Sequence, residues 1–92
     1  MKRNNYESKS YEELKGIMKE RYGNIIALTI ACMCSNDELF DQAMQNLLDK
    51  HDESMNKLFE AGASFDVINR RIESFQDLFD LIMAMRKALK NE

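Results

Sequence analysis

No proline interrupts the 92 residues, and apolar side chains recur at three- and four-residue steps along almost the whole chain. A proline-free sequence with that period buries its apolar stripes as packed helices. The expected fold is all-α, a three- or four-helix antiparallel bundle. A chain of this length buries only roughly 60–65% of the surface its unfolded form exposes. Self-association is therefore expected to complete the bundle.

Residues 1–9 are polar and aperiodic, which predicts a flexible N-terminal tail ahead of one helical domain over 10–92. Ser10 and Glu13 stand at capping-box spacing, so a first helix starts at about residue 11. Its stripe runs through Leu14, Ile17, Met18, Ile25, Leu28 and Cys32 to residue 34. Gly16 and Gly23 lie within that span, each weakening a helix by ~1 kcal/mol relative to alanine, and residue 23 is the expected kink. Ser35 and Glu38 repeat the capping-box spacing and open a second helix over about 36–61. Phe40, Met44, Leu47, His51, Met55 and Leu58 form its stripe, widened by Ala43, Leu48 and Phe59, and Gly62 closes it as a left-handed cap. Ser64 caps a third helix over about 65–90. Its seam is Phe65, Ile68, Ile72, Phe75, Phe79, Ile82 and Leu89, with Arg86 in one apolar slot.

Two surfaces exceed what one hairpin can cover. Ile25 to Cys34 is apolar around its whole circumference save Thr29, yet ten residues fall well short of the ~20 that cross a bilayer, so no membrane span is expected. Leu78, Leu81, Met85 and Ala88 add a second apolar strip beside the last seam. The predicted oligomer interface is accordingly Ile26, Ile30, Met33, Leu78, Leu81 and Met85, pairing the chain with itself as a dimer or higher oligomer. Another protein is a further expected partner. Net charge is −3, distributed as +2 over residues 1–35, −6 over 36–66 and +1 over 67–92. No global positive field draws in nucleic acid or an anionic membrane. The acidic middle helix reads as a solvated face, with a docking face for a basic partner as the alternative.

Little in the chain carries chemistry. His51, the sole histidine, sits on an apolar stripe, where a histidine serves as a core-edge residue bonded to a neighbour. Cys32 and Cys34 point about 200° apart on a helix and cannot join in a disulfide without unwinding it. Free thiols and the absence of a signal-peptide pattern predict a cytoplasmic protein. Two cysteines and one histidine fall short of a zinc tetrahedron, so neither metal nor cofactor is expected. No nucleophile and base stand at a catalytic spacing, and no enzyme activity is expected. Tyr11, Lys15 and Tyr22, within a tyrosine- and lysine-rich first quarter, form a candidate contact for an anionic ligand such as a nucleotide.

Residues 57–72, KLFEAGASFDVINRRI, resemble the turn and recognition helix of helix-turn-helix DNA-binding domains, including repressors of the lactose-repressor type. Ala61, Gly62, Ser64, Ile68 and Arg70 carry the resemblance. Arg71 departs from it where the family has a buried aliphatic residue, and Leu58 where it has a small one. The resemblance implies that Asn69 and Arg70 contact nucleic acid in the major groove. The leading expectation remains a non-enzymatic helical interaction module, an adaptor or inhibitor acting as a homo-oligomer; a nucleic-acid-binding regulator and an anionic-ligand binder are the alternatives.

Overall fold

The computed structural model describes residues 6–91. They form four helices, α1 (Tyr11–Tyr22), α2 (Asn24–Cys34), α3 (Asp37–Glu60) and α4 (Phe65–Asn91), with no strand among the described residues. The fold is all-α, as the apolar period requires. Ser10 and Glu13 close the capping box: the Ser10 hydroxyl accepts from the Glu13 N–H, and the Glu13 carboxylate accepts from the Ser10 N–H.

The kink expected at residue 23 is a full break. Gly23 has φ 98° and ψ 164°, a conformation essentially reserved for glycine. Its N–H caps α1 on the Lys19 carbonyl, while its own carbonyl accepts from Ala27 at the start of α2. One residue thus ends one helix and begins the next. The α2–α3 junction differs from the sequence expectation by one position. Asn36, not Ser35, is the cap of α3, accepting from the Leu39 N–H, whereas the Ser35 hydroxyl bonds back to the Cys32 carbonyl and finishes α2. At the α3–α4 turn Gly62 (φ 72°) holds a Schellman motif, with Ala63 N–H on Leu58 and Gly62 N–H on Phe59. Ser64 caps α4 through the Val67 N–H.

α3 and α4 are a long antiparallel hairpin. His51 meets Phe75, the Arg71 guanidinium donates to the Ser54 hydroxyl, and Arg86 lies 4.7 Å over the Phe40 ring. Those pairs run in opposite order on the two helices. Arg86, which looked like a break in the α4 seam, joins three segments: it also donates to the Cys34 carbonyl at 2.5 Å and pairs with Asp37.

α1 and α2 cover one side of the hairpin at the end remote from its turn. Leu14, Met18 and Cys34 pack there with Leu81, Ile82 and Met85, all fully buried, and Tyr6, Ala27, Ile30, Phe40, Met44 and Ala84 enlarge the core. This overturns part of the predicted oligomer interface. Ile30, Leu81 and Met85 are buried within the single chain, because the break at Gly23 folds α1 back over the strip that a hairpin alone leaves bare. Residues 6–9 also depart from the flexible tail expected over 1–9: Tyr6 is only 4% exposed and packs into the core. Residues 1–5 of that expectation lie outside the described residues.

A candidate interaction surface on the helical hairpin

From residue 45 to residue 80 no side chain is buried. Beyond its inner end, where Leu47, Leu78 and Phe79 meet the core and Asp77 meets Tyr6, Arg21 and Tyr22, the hairpin projects past the α1–α2 layer and its two seams pack on each other. His51 and Phe75 mark the seam centre. Leu48 lies three residues before His51, with Met55 four and Phe59 eight after it. Ile72 lies three before Phe75, with Phe79 four and Met83 eight after it. Phe65, ten before Phe75, falls on the same line.

At 100° per residue these offsets turn each side chain about 40–80° from the seam in one rotational sense. In an antiparallel helix pair, equal rotations in the same sense emerge on the same side. The two stripes therefore form a single apolar face along the hairpin. Leu78 and Met85 rotate the opposite way and pack into the core, on the side of α4 where Asp77 meets Arg21 and Tyr22 of α1. The face looks away from the α1–α2 layer. Exposure of its large side chains runs from 38% at Leu48, through 40% at Ile72, 42% at Met83 and 60% at Phe59, to 75% at Phe65.

The remaining predicted sites resolve differently. Of the predicted interface, Ile26 is exposed, and Met33 and Leu78 are half-buried against the core. Ile25 and Leu28 are also exposed, because α2 is an outer helix with one open edge. Asn69 is half-buried and Arg70 exposed. α3 and α4 lie side by side in antiparallel register, so the crossed pair that a helix-turn-helix requires does not form. The Gly62 and Ser64 caps that carried the resemblance serve a hairpin instead.

The tyrosines are held by groups the sequence reading passed over. Asp77 accepts from the Tyr6 hydroxyl at 2.5 Å, from Arg21 at 2.7 Å and from the Tyr22 hydroxyl at 3.3 Å, and Arg21 also donates to the Tyr6 oxygen. Burial acts to raise the Asp77 pKa, but these bonds together outweigh it and hold the carboxyl below its usual value. Burial first, and then the Asp77 bond, push the Tyr6 phenol up to about 12. Tyr22 is raised for the same reasons. Lys15 pairs with Glu12 and lies 5.4 Å over the Tyr11 ring. Tyr11 and Tyr22 pack against the core, and the Tyr22 hydroxyl is engaged by Asp77.

Comparison of the chain with protein-family models, curated proteins and solved structures finds no match. Among the described residues no three His, Cys, Asp or Glu side chains are placed to hold a metal ion, and no helix is long and apolar enough to cross a membrane.

Proposed function

We propose that this chain is a non-enzymatic protein-interaction module, an adaptor or inhibitor, whose working surface is the apolar face of the α3–α4 hairpin. One observation carries the reading: the exposed large side chains of Leu48, Phe59, Phe65, Ile72 and Met83 share one side of the hairpin. Contiguous apolar patches of this size on soluble proteins mark places where another molecule docks. The titratable cluster at Asp77 tethers the N-terminal segment to α4, a structural use of its charges. Both cysteines are free, which suits a reducing cytoplasmic setting.

The test is site-specific photo-crosslinking in cells. A photoreactive phenylalanine analogue at position 65 or 72 should yield discrete adducts with a polypeptide, and the same analogue at exposed Glu73, off the face, should not. No adduct from either face position would sink the reading.

A further inference from the structure

Building on that interaction reading, we infer that the face binds a second copy of this chain, hairpin against hairpin, to form a four-helix bundle. The area supports this. At roughly 200 Å² for a fully exposed side chain of this size, the five exposed residues present about 500 Å² of apolar surface. A standard interface takes about 800 Å² from each partner, of which about 60% is apolar. One chain therefore offers the apolar area that one half of a dimer contributes.

Shape points the same way. Each hairpin presents two apolar ridges with identical offsets from its seam, and two such faces interdigitate as four helices in the geometry of an antiparallel bundle. The α1–α2 layer covers the opposite side at the inner end and the Ser54–Arg71 polar pair occupies it further out, so pairing uses the same patch on both copies and closes after two. Asp52, between Leu48 and Phe59 on α3, borders the stripe. In a pair of identical chains it meets like charge. In a complex with a basic partner it would attract.

Light scattering behind size-exclusion chromatography on the full chain, from about 1 to 100 μM, spans the dissociation constants expected of such an interface. Twice the chain mass is expected. Phe65→Gln with Ile72→Gln should return a monomer with unchanged helical circular dichroism, since both side chains are exposed and neither supports the core. Val67→Gln, exposed on the other side of α4, should leave the mass doubled. Asp52→Asn should tighten the dimer by about two- to threefold, the effect of relieving one exposed like-charge contact. A monomer throughout, with crosslinks from position 65 to a different protein, overturns the second-copy inference and leaves the interaction reading standing. A monomer with no crosslinks overturns both. A dimer that survives Phe65→Gln with Ile72→Gln overturns the face.

Discussion

The imidazole of His51 lies flat on the ring of Phe75, centroids 3.9 Å apart and planes 15° from parallel. This stack is the midpoint of the exposed hairpin and sets its antiparallel register. Phe75→Ala should cost about 2 kcal/mol, less than a fully buried phenylalanine because the ring is half-buried. His51→Phe keeps the stack and should cost little. Urea unfolding at one fixed protein concentration measures both, and a neutral Phe75→Ala would show that the pair does not hold the hairpin.

Asp77 links stability to pH at both extremes. Its folded pKa is depressed, so the stabilisation is complete above the unfolded value of about 4 and is lost as pH falls through the folded value. Asp77→Asn should cost about 1–2 kcal/mol at neutral pH, a modest figure because the paired Arg21 is partly exposed. It should also flatten the acid limb of the stability curve below pH ~4.

Tyr6 has the opposite sign. Its phenol is pushed up to about 12, so its contribution is complete below the unfolded value of about 10 and disappears as pH rises towards 12. Tyr6→Phe should abolish that alkaline loss and remove one late-titrating phenolate from the near-ultraviolet absorbance.

Gly16, inside α1, and Gly23, at the break, should respond oppositely. Gly16 is exposed within α1 and a Cβ there meets nothing within 4 Å, so Gly16→Ala should stabilise by about 1 kcal/mol, or roughly 4–8 °C in melting temperature. Gly23→Ala places a side chain at φ 98° and should destabilise by about 1–3 kcal/mol, although space there is open. Calorimetry on the two variants separates backbone conformation from crowding.

The cysteines should differ in reactivity. Burial pushes the Cys34 thiol up to about 11, against a smaller opposing pull from Arg86, while Cys32 is exposed. A thiol reagent at neutral pH should modify Cys32 and reach Cys34 only on unfolding. Equal labelling of both in the folded chain would contradict the packing of α2.

Leu81→Ala should lower stability by about 2–5 kcal/mol at any protein concentration, because the side chain is buried within one chain. An interface residue would instead make the loss depend on concentration. Unfolding curves over a range of protein concentrations tell these apart.

Local pattern was enough to read the helices. The missing prolines, the three- and four-residue apolar steps, the Ser10–Glu13 box and the Gly62 turn all act within a few residues, so their consequences are visible in the chain. Even Leu48, Phe59, Phe65 and Ile72 stood out as apolar. Which of them face solvent depends on a seam centre that only the His51–Phe75 contact supplies, and the same contact turns a motif resembling a DNA-binding turn into a plain hairpin. Tyr6 and Asp77 are 71 residues apart, and no periodicity connects them. The burial of Leu81 and Met85 needed α1 to return over α4 from Gly23. Sequence by itself determined the helices, because helix formation is governed by neighbours along the chain. Tertiary structure decided which apolar stripe became core and which stayed open, because that choice depends on where distant helices land.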